Sequence, residues 1–192
     1  MIKNLVIGLI LLSGAAATRQ LDKNNAKDFS ALVDEMRICF FLGVDDEKEL
    51  DKLEYLINKN FGKEESKYPP KILAYAGGLD ALRAKHTYNP FSKFSHTLSG
   101  LKKLDKAVGT NPNNLEIRFL RFAVLDNVPG VFGISGERQK DLYKVCSLLL
   151  KKDYSELTKG VQQIIAEYML ESKRLDDKQR KSLRELFPEI VP

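Results

Sequence analysis

The fold is decided by one short stretch in the second half of the chain, residues 115–125, LEIRFLRFAVL. With Asn114 as the N-cap of a helix, two apolar stripes run along this stretch. The first stripe contains Ile117, Leu120 and Val124, and the second contains Leu115, Phe119, Phe122 and Ala123. A helix that is apolar on two sides is covered by neighbours on both flanks. We therefore predict that this is the central helix of an all-α protein.

The remainder of the chain after residue 17 also has the apolar spacing of consecutive helices, without the alternating pattern of strands. We predict about eight helices. Gly43 is expected to close the first with a left-handed C-terminal cap. Asn89 is expected to cap the fourth, Ser155 to begin the seventh, and Asp176 with Gln179 to form a capping box at the last.

The third predicted helix, which begins near Lys71, carries a stripe of small residues beside its large apolar stripe. Gly77 and Gly78 lie in the middle of this helix. Glycine inside a helix lowers helix stability by about 1 kcal/mol relative to alanine. Two adjacent glycines therefore indicate that the packing requires small residues at these positions. We predict that a neighbouring helix packs very close to them.

Composition limits the class of protein. The chain has 192 residues, of which 43% are hydrophobic and 30% charged, and its formal net charge is +5. These values are typical of one soluble globular domain and exclude a disordered, collagen-like or multi-span membrane chain. Basic and acidic residues alternate along most of the chain, which favours solvated helix faces over a nucleic-acid partner.

The first 17 residues resemble a secretory signal peptide. Lys3 precedes an apolar run from Leu5 to Leu12, and small residues follow up to Ala17, after which we predict cleavage. The run is shorter than the roughly 20 residues that cross a bilayer. We expect export to the periplasm or the extracellular space, no lipid anchor, no stable membrane insertion after cleavage, and a single helical domain over 18–192. The alternative is an uncleaved anchor or a buried first helix.

Residues 71–151 resemble the tetratricopeptide repeat. Small and bulky residues follow the order of its second helix, as Gly100, Leu104, Ala107 and Pro112. The chain departs from that family in having no tryptophan and in carrying extra residues at 85–94 and 127–136. The resemblance implies antiparallel hairpins stacked as a short solenoid, with a concave surface that binds extended peptides or helices. The alternative is a compact helical bundle without a groove.

The chain also resembles exported bacterial helical proteins of uncharacterised function. The shared runs are Ala84–His86, Asn89–Phe91 and Glu116–Arg121. This second resemblance implies export and an all-helical fold, but it implies no activity.

Two arginines of the central helix are candidate binding residues. Arg118 and Arg121 have no acidic residue four positions away to pair with. Their guanidinium groups are suited to bidentate binding of a carboxylate or an acidic peptide. The alternative is an ion pair with an acid of a neighbouring helix, such as Asp80 or Asp105.

The segment between the third and fourth helices supplies the other candidates, His86, Tyr88 and Phe91. Tyr88, Phe91 and Phe94 form either a docking patch or a contact that holds the loop to the core. His86 and His96 are a conceivable metal pair, but no third ligand lies in a short motif with them, so we expect no metal.

We expect a non-enzymatic module that binds a protein or peptide partner through the third and fifth helices and the two long loops, without a cofactor. No nucleophile elbow, phosphate-binding loop or zinc-protease motif occurs in the sequence. The alternatives are a small-molecule or lipid carrier with an apolar pocket among Phe94, Phe119, Phe122 and Phe132, and a hydrolase of unrecognised geometry. Cys39 and Cys146 are either a disulfide or two small buried side chains.

Overall fold

The computed structural model describes residues 22–129 and 133–190, and within these ranges the protein is built of eight α-helices with no strand. The helices are α1 (Asp22–Leu42), α2 (Glu47–Phe61), α3 (Pro70–His86), α4 (Pro90–Thr110), α5 (Leu115–Asn127), α6 (Ser135–Leu149), α7 (Lys159–Glu171) and α8 (Asp177–Leu186). A 3-10 turn, Glu65–Lys67, lies between α2 and α3. The prediction of an all-α protein with about eight helices is confirmed. The proposed signal peptide and Phe132 lie outside the described residues.

Three of the predicted helix starts are confirmed by their capping hydrogen bonds. The Asn89 side chain accepts from the backbone N–H groups of Phe91 and Ser92 at the start of α4. Asn114 accepts from the N–H of Ile117 at 3.0 Å. At α8, Asp176 and Gln179 each accept from the backbone N–H of the other, which is a complete capping box. These side chains satisfy N–H groups that have no partner within their own helix.

Two local predictions were wrong. Gly43 follows the end of α1, but its φ is not in the left-handed region. It is required for a close approach instead, because a Cβ there would lie 2.3 Å from Leu50 Cδ2. Ser155 does not begin α7, which is capped by Thr158. The N–H and hydroxyl of Ser155 both donate to Asp153, so this residue forms a turn before the helix.

The glycines of α3 mark the closest helix contact in the described part of the chain. A Cβ on Gly77 would lie 2.8 Å from the carbonyl oxygen of Gly100 in α4, and a Cβ on Gly100 would lie 2.6 Å from that of Gly77. A Cβ on Gly78 would lie 2.5 Å from the ring of Phe40 in α1. The predicted close packing is confirmed, and α3 is held tightly between α1 and α4.

The core has two parts that meet at α5. The first core joins residues of α1 to α4 with Ile117, Leu120 and Val124 of α5. The second core joins residues of α6 to α8 with Phe119 and Phe122, against which Leu115 and Ala123 also pack. These are the two stripes read from the sequence, so the prediction of a central, doubly covered helix is confirmed.

Helices that follow one another in the chain pack together, as α1 with α2, α3 with α4, α5 with α6, and α7 with α8. In addition, α3 contacts both α1 and α5, and α6 contacts α8. None of the described helices is both long and apolar enough to cross a membrane.

Candidate functional site

The short loop between α3 and α4 is fixed at both of its ends by hydrogen bonds. His86 Nε2 lies 2.9 Å from the carbonyl oxygen of Gly43, and Lys85 Nζ donates to the carbonyl of Val44 at 2.6 Å. Both contacts tie the end of α3 to the turn between α1 and α2. Asn89 then caps α4. Tyr88 therefore lies between two anchored residues.

Large apolar side chains are exposed in this loop and on the first turns of α4. We call Tyr88, Phe91, Phe94 and Leu98 the aromatic surface. Tyr88 is fully exposed (101% of its reference area), Phe91 is 84% exposed, and Phe94 and Leu98 are about half exposed, at 54% and 46%. Because positions 91, 94 and 98 are three and four residues apart, they share one face of α4.

Tyr88 and Phe91 do not hold the loop to the described cores, which was one of the two expectations for the aromatic residues here. Tyr88 and Phe91 are exposed and belong to neither core, and the hydrogen bonds of His86 and Asn89 fix the loop instead. The exposed apolar side chains are therefore available as a surface.

The aromatic surface has a basic border. Lys102 lies one turn after Leu98 on the same face of α4, and it is exposed and makes no ion pair within the described residues. Lys103, by contrast, is half-buried and pairs with Glu65 and Asp80 at 2.6 and 2.9 Å. The outer face of α4 thus combines apolar area with positive charge that the chain itself does not neutralise.

The two arginines of α5 are engaged by acids of neighbouring helices. Asp141 of α6 is fully buried and accepts from Arg118 at 2.6 Å and from Arg121 at 2.6 and 2.8 Å. Arg121 also donates to Asp105 of α4 at 2.8 Å. Burial alone would lower the pKa of Arg121, but its hydrogen bonds to Asp141 and Asp105 outweigh this effect and raise it. Of the two acids that the sequence suggested, Asp105 is a partner and Asp80 is not.

A second buried charge cluster connects α1, α3 and α5, and sequence reasoning missed it. Glu116 Oε1 accepts from Arg37 Nε at 2.8 Å and from the hydroxyl of Tyr75 at 2.7 Å. Lys71 Nζ lies 3.3 Å from Glu116 Oε2. Burial, with the charge of Glu116, raises the pKa of Tyr75 well above its usual value, so its hydroxyl remains a donor. The sequence signal that could have revealed this cluster is a charged residue within each of two otherwise apolar helix faces, Arg37 in α1 and Glu116 in α5.

A small cavity lies where residues of α1, α3, α5 and α7 meet. The cavity there is lined by Phe41, Tyr75, Phe119 and Ile165, among others, and its volume is about 10 Å³. That is room for about one water molecule. The faces of α3 and α5 that we expected to bind a partner are covered by other helices, because both helices lie at the centre of the fold.

The phenylalanines suggested as a carrier pocket have different surroundings. Phe119 and Phe122 are buried in the second core, and both rings pack edge-on against Tyr168. Phe94 is half exposed on α4. Phe132 lies outside the described residues.

Reactive groups are few in the described part of the chain. It contains no cluster of three side chains that would hold a metal ion. Cys39 lies in the first core and Cys146 in the second. Burial raises the pKa of each thiol to about 11, so both are protonated at neutral pH and are poor nucleophiles.

No protein-family model, curated protein or solved structure matches this chain. Its function must therefore be inferred from its own surfaces and charges.

Proposed function

We propose that the protein is a non-enzymatic interaction module that docks a protein partner on the aromatic surface. The observation that carries this proposal is the exposure of Tyr88 and Phe91 beside a loop that is anchored at both ends. Contiguous exposed apolar groups mark interaction sites, and aromatic side chains are frequent hot spots of interfaces. An anchored loop loses little conformational entropy when a partner binds.

The charges beside this surface indicate the kind of partner. Lys102 is exposed on the same face of α4 as Leu98 and makes no ion pair within the described residues. A partner with an apolar groove and an acidic rim would cover the aromatic side chains and neutralise this lysine. We therefore favour an acidic protein surface over a basic one or a nucleic acid.

We further propose that the helices are stacked hairpins of the tetratricopeptide type. The pairing of consecutive helices and the contacts of α3 with both α1 and α5 support this arrangement. The coverage of α3 and α5 by other helices differs from the concave binding surface of that family. In our proposal, binding takes place on the outer face of α4, and Arg118 and Arg121 hold α4, α5 and α6 together without touching the partner.

Export is the other part of the proposal, and it rests on residues 1–17 of the sequence alone. The module would then act in the periplasm or outside the cell, where its partner must also be found. It would need no cofactor.

The geometry around Phe119 and Phe122 favours docking over carriage of a lipid or small molecule in an apolar pocket there. A pocket for such a ligand usually has a volume of about 300 Å³ or more. The cavity beside Phe119 has a volume of about 10 Å³.

Site-specific photo-crosslinking in the cells that make the protein tests the docking proposal. A photoreactive residue at position 91 should give one discrete protein adduct, which disappears when Tyr88 is changed to Ala. The matched control is position 55, because Tyr55 is also exposed (61%) but lies on α2. With the purified partner, the double variant Y88A/F91A should bind at least about tenfold more weakly than the original protein, with an unchanged melting temperature. Adducts of equal yield at positions 91 and 55 would contradict the proposal.

A further inference from the structure

A second surface lies at the opposite end of α4. The loop of residues 111–114 after α4 and the segment of residues 150–158 between α6 and α7 border a groove of about 280 Å³. Since α4 has 21 residues, about 30 Å separate this groove from the loop that carries Tyr88. The groove is therefore independent of the aromatic surface.

The groove is lined mainly by polar side chains. They include Asn111, Asn113, Asn114, Asp153, Glu156 and Gln162. Asn111 and Asn113 are exposed, and their carboxamides make no hydrogen bond to the described residues. Carboxamides at the entrance leave both donors and acceptors available to a polar ligand.

Gln162 forms the floor of the groove and has an unused acceptor. It is 1% exposed, and its Nε2 donates to the backbone carbonyls of Asp153 and Leu157. These two bonds fix the orientation of the amide, because a carbonyl oxygen can accept only from the nitrogen. The Oε1 atom is buried and receives no hydrogen bond from the described residues. Because a buried acceptor without a hydrogen bond destabilises the folded protein, a donor from a ligand would remove a real penalty.

Two carboxylates line the same groove as Gln162. Glu156 Oε2 accepts from Asn114 Nδ2 at 2.5 Å. Asp153 accepts from the hydroxyl and N–H of Ser155, and these bonds hold the pKa of Asp153 below its usual value. Neither carboxylate pairs with a cation in the described part of the chain. The opposing charge in the lining is Lys151, which is exposed, so negative charge predominates.

We propose that this groove binds a guanidinium group, with Gln162 Oε1 accepting from it at the floor and Glu156 and Asp153 neutralising its charge. Guanidinium presents five N–H donors in a planar fork and has no acceptor, which matches a site whose free groups are oxygens. The group would come from an arginine side chain of a polypeptide or from a free small guanidine. This inference does not depend on the aromatic surface.

A titration followed by nuclear magnetic resonance of the ¹⁵N-labelled protein tests the inference with three probes. N-acetyl-arginine methylamide should shift the side-chain resonances of Gln162 and Asn113. N-acetyl-citrulline methylamide has nearly the same shape without the charge and should bind at least about tenfold more weakly. Agmatine is the third probe. Tighter binding of the arginine amide than of agmatine would assign the site to a polypeptide, and the reverse order would assign it to a small guanidine.

Isosteric variants complete the test. Glu156→Gln keeps an acceptor for Asn114 and Asp153→Asn keeps one for Ser155, so both should fold, and each should weaken the arginine probe by about tenfold. Glu171→Gln is the matched control, because Glu171 is an exposed acid of α7 outside the groove, and it should bind as the original protein does. Equal affinity for the citrulline probe, no shift at Gln162, or unchanged affinity in both groove variants would overturn the proposal.

Discussion

Single residues decide how the charged groups of this protein are accommodated, and Asp141 is the clearest case. Its carboxylate is fully buried and faces two guanidinium groups, those of Arg118 and Arg121. Asp105 also contacts Arg121, but its own side chain is 60% exposed. Asp141 should therefore contribute much more to stability than Asp105, although the sequence shows only two aspartates on neighbouring helices.

Asp141→Asn should lower the free energy of unfolding by about 3–5 kcal/mol, because it removes the buried counter-ion that Arg118 and Arg121 share, and the acids that still contact Arg121 are exposed. Asp105→Asn, the matched control, should lower it by less than about 1 kcal/mol, since water solvates the exposed Asp105 carboxylate and Arg121 keeps its bonds to Asp141. Urea denaturation of both variants at neutral pH measures the difference. Equal losses would show that the buried position of Asp141 is not what matters.

At the scale of an element, α4 has two faces with opposite roles. Its inner face approaches α3 so closely that the backbones meet at Gly77 and Gly100. Its outer face carries Phe91, Phe94 and Leu98. The close contact with α3 fixes the position of the helix that presents the aromatic surface.

Gly100→Ala should destabilise the protein by about 1–3 kcal/mol, because the new methyl group would press on backbone atoms that cannot move aside. Gly109→Ala on the same helix should stabilise it by about 0.4–1 kcal/mol, since a Cβ there meets nothing within 4 Å and alanine is the better helix former. Thermal melts of the two variants should therefore shift in opposite directions. A shift in the same direction would refute the steric explanation for Gly100.

For the whole molecule, the important feature is that α5 belongs to both cores. Ile117, Leu120 and Val124 face the first core, while Phe119 and Phe122 face the second. Neither core can lose α5 and keep its packing. We therefore expect the two halves to unfold together.

Phe122→Ala should cost about 3–5 kcal/mol, because it empties a fully buried position of the second core. If the halves are coupled, amide hydrogen exchange should accelerate by the same factor in α3, which belongs to the first core, as in α6, which belongs to the second. Exchange that accelerates in α6 alone would show that the cores unfold separately.

The sequence by itself determined much of this fold. The period of 3.6 residues assigns each apolar side chain to a helix face, which is why the two stripes of α5 and the cap residues Asn89, Asn114 and Asp176 could be read directly. The start of a helix could not be predicted where two nearby residues can each act as its N-cap. Ser155 and Thr158 are both good caps, and only the hydrogen bonds of Ser155 to Asp153 decide between them.

The candidate surfaces were predicted only in part, because tertiary packing decides which side chains remain free. Tyr88 and Phe91 were named from the sequence, but their exposure follows from how α3 and α4 are anchored. Arg37 and Glu116 are 79 residues apart, so no local spacing reveals their bond. Gln162 likewise meets its groove only where two loops converge. Periodicity fixes the direction of a side chain within its helix, whereas its partners depend on how the helices pack.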